Sequence, residues 1–156
     1  MLYLGLGTNL GDREEQLRTA VREIGRQIGK VASLSAFYVT EPWGFVSSHP
    51  FLNAAVGVET SLSPWAVLDA TQAIERGMGR RVKSSGGQYA DRPIDIDLLL
   101  YDDWVVRSPR LVLPHPLMGR RLFVLQPLAE IASDVVHPVT GKTVGEMMGM
   151  VSDVTG

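Results

Sequence analysis

Residues 92–101 read Arg92-Pro93-Ile94-Asp95-Ile96-Asp97-Leu98-Leu99-Leu100-Tyr101. Side chains alternate between the two faces of a strand, so Asp95 and Asp97 share one face, about 6–7 Å apart along the chain. Ile94, Ile96, Leu98 and Leu100 point the other way, into a core. Two carboxylates on one face need a partner, because like charges repel and their unpaired burial is costly. A divalent cation relieves the repulsion, and an all-oxygen ligand set suits Mg²⁺. Mg²⁺ ordinarily arrives with phosphates, and two ions can bridge an in-line phosphoryl displacement. The competing reading is a solvated strand start with each aspartate paired to a nearby arginine.

Upstream, Gly79 to Arg92 is polar, basic and rich in glycine, and is expected as a mobile loop. Arg76, Arg80, Arg81, Lys83 and Arg92 form a group suited to phosphate oxygens. A solvated loop is the alternative, which the adjoining carboxylate strand makes less attractive. Before it, Ser63 caps a helix with Pro64 at its first position, and Val67, Leu68, Thr71, Ile74 and Met78 form its buried side. Phe51 to Thr60 reads as a strand with Ala54, Val56 and Val58 on one face. Leu34 to Val39 reads as another, and Thr40 to Pro50 as the loop between them. At the N-terminus, Leu2, Leu4 and Leu6 alternate as in a strand. Asp12 and Glu15 then have capping-box spacing, Leu17, Val21, Ile24 and Ile28 recur at helical intervals, and Gly29 is the stop.

Downstream, Asp102-Asp103 predicts a turn and Trp104 to Val106 a short hairpin arm. Helices are expected over Leu122 to Ala132 and within Gly141 to Met150. Strand–helix–strand, stated twice and followed by a helical tail, predicts an α/β (α+β) ferredoxin-like sandwich. It has one mainly antiparallel sheet with helices packed on it and a helical C-terminal extension, in a single domain spanning 1–156.

Hydrophobic residues at 45% and charged residues at 21% of 156 argue against disorder. A net charge of -2 offers no basic excess for nucleic acid or an anionic membrane. The absence of cysteine excludes disulfides, thiolate metal sites and a cysteine nucleophile. The apolar start reads as a strand and not a signal peptide, and no apolar run reaches the ~18 residues of a membrane span. A cytoplasmic protein is expected, as a monomer or alternatively a dimer.

Two further constellations carry chemistry. Trp43, Phe45 and Phe51 offer flat apolar surfaces, and Asn53 both donates and accepts, which suits the edge of a heterocycle. Core plugging is the alternative, favoured for Phe45 and Phe51 taken singly. Arg110-Leu111-Val112-Leu113-Pro114-His115-Pro116, followed by Arg120, Arg121 and Phe123, sets a histidine in a rigid turn, as a candidate donor to a phosphate. A plain turn histidine is the competing reading, and His137 is read as structural. Gly5-Leu6-Gly7-Thr8-Asn9-Leu10-Gly11 imitates a dinucleotide-binding turn, but its third glycine comes one place late.

Together these segments resemble the 6-hydroxymethyl-7,8-dihydropterin pyrophosphokinases of folate biosynthesis. The likeness covers nearly the whole chain: Leu6 to Gly11, Phe37-Tyr38, Phe51 to Val56, Arg92 to Leu100 and Leu113 to Pro116. It implies transfer of the β,γ-diphosphate of ATP to the pterin hydroxymethyl group, with two Mg²⁺ ions held by Asp95 and Asp97. It implies pterin contacts from Thr40, Trp43, Phe51, Asn53 and Phe123. It implies ATP contacts from Gln72, Glu75, Arg110, His115 and Arg121, and catalytic roles for Arg80 and Arg92. The chain departs from the family pattern at Val82, where Lys83 compensates, at Tyr89 and at Pro116. The alternatives from other classes are a non-catalytic ferredoxin-like ligand-binding module and a metal-free acylphosphatase-like hydrolase.

Overall fold

The computed structural model describes residues 1–9, 11–40, 50–82 and 94–155, with 80–82 and 152–155 described by backbone alone. The N-terminal alternation forms β1 (Leu2–Thr8), whose Leu2, Leu4 and Leu6 are buried. It is followed by α1 (Arg13–Gln27), β2 (Lys30–Leu34), β3 (Tyr38–Thr40) and β4 (Phe51–Glu59). Then come α2 (Pro64–Val82), β5 (Asp95–Tyr101), β6 (Val106–Arg107), β7 (Val112–Leu113), α3 (Leu122–Ala132) and α4 (Val144–Thr155). The main sheet runs β2-β4-β1-β5, with β3 also paired to β4 and every pairing antiparallel. This is the expected ferredoxin-like order with a helical extension.

The sheet separates two apolar layers. One face carries Leu2, Leu4, Leu6, Val56, Val58, Ile96 and Leu98 against Leu17, Ile24, Val67 and Ile74 of α1 and α2. The other carries Ala55 and Leu99 against Leu125 and Leu128 of α3 and Val144 and Met147 of α4. Each fully buried Leu or Ile contributes about 1.5–3 kcal/mol. The helix starts are capped as their sequences dictate. Asp12 accepts the Glu15 N–H at 3.1 Å and Ser63 accepts that of Ala66 at 3.2 Å. Such caps are worth about 1 kcal/mol each. The Glu15 carboxylate, however, turns to Thr19 and Arg22, so only half of the expected capping box forms. A complete box sits at α4, where Thr143 accepts from Glu146 and Glu146 accepts from Thr143.

Several local expectations are corrected. The strand expected over Leu34–Val39 is divided: β2 ends at Leu34 and β3 begins at Tyr38. Between them the Ser35 hydroxyl accepts the Ala55 N–H and Glu130 accepts that of Ala36, so side chains take over from the ladder. The α2 helix continues through Gly77 and Gly79 to Val82, because buried Met78 anchors its last turns. Leu100 does not follow Ile96 and Leu98. The β1–β5 register shifts between Tyr3 and Leu4, which sends Leu100 to the second layer and Tyr101 to the first. Trp104 and Val105 are exposed, and the short arm is Val106–Arg107 paired with β7. The α4 helix reaches Thr155, beyond Met150. Gly5 and Gly7 lie inside β1 and not in a turn, which removes the dinucleotide-loop reading.

Candidate active site

Strand register builds the site's floor. Across three neighbouring strands Asp95 faces Gly7 and Gly7 faces Asn53; one step along, Asp97 faces Gly5 and Gly5 faces Ala55. Residues paired in this way share a face. The carboxylates and the Asn53 amide therefore stand on one surface, with glycines between them. The glycines matter sterically. A methyl group on Gly7 would come within 2.9 Å of the Asn53 Oδ1, and one on Gly5 within 3.3 Å of Leu99. Glycine inside a strand marks such a close approach.

A cleft of about 450 Å³ opens over this floor. Asp95 and Asp97 line it from β5, and Thr40, Phe51 and Asn53 from β3 and β4. Arg121 and Phe123 close it from the start of α3. Asn53 is 6% exposed, and its Nδ2 donates to the Thr40 hydroxyl at 2.6 Å. That leaves one amide N–H and the carbonyl oxygen for a ligand. The Phe123 ring is half-exposed and carries the Arg121 guanidinium 5.6 Å from its centroid. Asp95 is exposed and Asp97 half-buried. Among the described residues no group of three or more His, Cys, Asp or Glu gathers to hold a metal ion. A cation held by this aspartate pair would need its other ligands from outside the described residues, and Mg²⁺ commonly takes them from phosphate oxygens and water.

His115 follows the cis Leu113–Pro114 bond, and its N–H donates to the Leu99 carbonyl at 2.9 Å, which fixes the turn beside β5. Its Nδ1 accepts the Leu117 N–H at 3.1 Å, so the ring proton sits on Nε2. Burial pushes its pKa below the ordinary 6.5, while the Asp97 carboxylate pulls it upward and the Arg121 guanidinium downward. At neutral pH His115 is an uncharged donor within the field of the Asp97 carboxylate.

The structure also shows where the other expected residues fall. Glu75 accepts the Ile96 backbone N–H at 2.8 Å, tying α2 to the carboxylate strand. Gln72 is exposed on the same helix. Arg110 pairs with Asp69 of α2 at 2.7 Å on the exterior, away from the cleft lining. Trp43, Lys83 and Arg92 lie outside the described residues, as do Phe45, Tyr89 and the side chain of Arg80. Two contributions were not foreseen. One is the glycine floor, whose signal was the placement of Gly5 and Gly7 at alternate strand positions. The other is Glu130 of α3, which accepts the Ala36 N–H at 3.1 Å and the Tyr38 hydroxyl at 2.5 Å. It thereby braces the strand of Thr40 against the helix of Phe123, and no local pattern announces it.

The model of the 7,8-dihydro-6-hydroxymethylpterin-pyrophosphokinase family matches residues 3–133. The chain belongs to this family. It is 53% identical over 139 residues to the 2-amino-4-hydroxy-6-hydroxymethyldihydropteridine pyrophosphokinase of Porphyromonas gingivalis, covering 88% of this chain and 94% of that one. The protein of the same name from Methylorubrum extorquens is 44% identical over 147 residues, covering 94% and 90%. In shape the chain is similar to a Plasmodium falciparum HPPK-DHPS triple mutant with pteroate, at a TM-score of 0.79 and 17% identity. That likeness covers 99% of this chain and 44% of the other, and shows the fold. Among the described residues no helix is long and apolar enough to cross a membrane.

Proposed function

We propose that the chain transfers the β,γ-diphosphate of ATP to the hydroxymethyl group of 6-hydroxymethyl-7,8-dihydropterin and releases AMP. Family membership makes it a pterin pyrophosphokinase of folate biosynthesis and disfavours a non-catalytic module. The observation that carries the finer reading is one cleft holding both halves of the chemistry. Asp95 and Asp97 stand on one side, and Asn53, Thr40, Phe51 and Phe123 on the other.

The pterin ring lies along Phe51 and Phe123, and the free donor and acceptor of Asn53 read its edge. The ring is held at the inner end of the cleft, which directs its hydroxymethyl arm toward β5. Asp95 and Asp97 would hold Mg²⁺, as two ions with ATP; their all-oxygen donors and open glycine floor suit it. When bound, Mg²⁺ neutralises phosphate charge and lowers the proton affinity of the pterin hydroxyl. Arg121 and the Nε2–H of His115 meet phosphate oxygens, with Arg80, Lys83 and Arg92 supplying further charge and Gln72, Glu75 and Arg110 the nucleotide side. Trp43 completes the pterin pocket. The pterin oxygen then bonds to the β-phosphorus as the bond from that phosphorus to the bridging α–β oxygen breaks. That electron pair leaves with AMP, and the hydroxyl proton passes to solvent. The work of the chain is alignment and charge compensation.

The decisive experiment is AMP release from ATP plus 6-hydroxymethyl-7,8-dihydropterin with Mg²⁺. Stoichiometric AMP and pterin diphosphate are expected, with no AMP when the pterin is omitted. ADP as product, or AMP formed without pterin, would refute the assignment.

A further inference from the structure

A second cavity, of about 460 Å³, lies outside the cleft and shares no lining residue with it. It is bounded by β6 and β7, the Pro114-His115-Pro116 turn, the turn at 137–142 and α4. Its inner surface is apolar: Leu113 and Met147 are buried there, and Val112, Val139 and Met150 continue outward as exposed side chains. Its polar lining has a single sign of charge. Arg107, Arg120 and Lys142 line it, and no aspartate or glutamate does. Among the described residues none of the three is in an ion pair. Glu146 lies near enough to feel Lys142, but its carboxylate is engaged by the Thr143 N–H as the α4 cap.

The two histidines of the lining are built alike. Each precedes a proline, and each accepts main-chain N–H groups on Nδ1: His115 from Leu117, and His137 from Val139 at 3.2 Å and Thr140 at 3.1 Å. Both rings consequently carry their proton on Nε2, which is left as a donor. Three cations and the Nε2–H of His137 around an apolar interior match a ligand with a multiply charged oxyanion head and a hydrophobic body. Inorganic phosphate would satisfy the head and leave the methionine-lined interior unfilled. We propose that this cavity is a second ligand site, for a small organic phosphate monoester, distinct from the catalytic cleft.

The test uses the full chain labelled with ¹³C-methyl methionine, titrated with phenyl phosphate, with and without Mg²⁺ and a saturating non-hydrolysable ATP analogue. The Met147 and Met150 methyl resonances are expected to shift and saturate below about 5 mM in both conditions, while Met78, buried under the opposite sheet face, stays still. The double substitution R120A/K142A, of exposed side chains, should weaken this binding at least about tenfold without lowering Tm. Inorganic phosphate should bind at least about tenfold more weakly than phenyl phosphate. Absence of a saturable shift, equal affinity for the two probes, or insensitivity to R120A/K142A would overturn the proposal. Displacement of phenyl phosphate by the ATP analogue would overturn it too, by making the cavity part of the nucleotide path. None of these readouts depends on turnover, so they stand apart from the assay of the catalytic reading.

Discussion

The Glu75 carboxylate accepts the backbone N–H of Ile96 at 2.8 Å, and Ile96 stands between Asp95 and Asp97. Among the described residues β5 is the outer strand of the main sheet, and no further strand there meets its outward N–H groups. A side chain from α2 fills that place and sets the height of the carboxylate pair over the cleft.

Glu75→Ala removes this acceptor and leaves a half-buried N–H unpaired. A stability loss of about 1.5–3 kcal/mol is expected, with kcat down about tenfold or more. Glu75→Gln keeps an acceptor and should recover most of both. Urea denaturation and AMP release check the pair; full activity in Glu75→Ala would show that β5 holds its position unaided.

Asp97→Ala should reduce turnover by about 10³-fold or more, because charge compensation at the phosphates is the main work of the site. The side chain is half-buried on an open face, so the protein should stay folded with Tm nearly unchanged. Diphosphate transfer at near-normal rate in this variant would remove the metal role assigned to the strand.

Gly7→Ala tests the floor. The added methyl group would meet the Asn53 Oδ1 at 2.9 Å and push the amide away from Thr40. The KM for the pterin should rise about tenfold, for the loss of roughly one well-placed hydrogen bond, with the KM for ATP little altered. An unchanged pterin KM would show that Asn53 does not read the ring.

How far the sequence reaches can be judged from these residues. The paired faces of Ile94 to Leu98, the caps at Asp12 and Ser63 and the span of α3 were readable, because each is set by neighbours within a few positions. The parity change at Leu100 was not: a bulge depends on how β1 and β5 meet, which no alternation in either strand records. The division of β2 from β3 was hidden for the same reason, since Glu130 and Ala55 are distant in sequence. Asp95, Asp97, Asn53, Phe51 and Phe123 were each identifiable by type, and the fold brings them to one cleft. Arg110 was identifiable by type in the same way, but its pairing with Asp69 of α2 was not, because the two lie far apart in sequence.

His137 supplies a pH prediction. Burial lowers its pKa below 6.5, and its Nδ1 accepts two main-chain N–H groups, so protonation in the folded state would set donor against donor. The unfolded chain therefore binds more protons below pH 6.5 than the folded one, and this part of the stability is complete above that value and lost as pH falls beneath it. Tm should decline from pH 7.5 to 5.5, above the range where carboxylates titrate. His137→Gln should decline less steeply, although it starts lower. Parallel slopes in calorimetry would assign the decline to other groups.

The Glu130 brace has a consequence for selectivity. With Ala36 and Tyr38 fastened to the helix that carries Phe123 in its first turn, two walls of the aromatic slot form a single jaw whose gauge is set from outside the slot. Widening the slot for a thicker or non-planar ring means undoing that distant fastening. Tuning the phosphate end, on β5, leaves the gauge untouched. Evolution can thus vary the two substrates' tolerances separately, and a flat inhibitor should lose little affinity to changes confined to the β5 side.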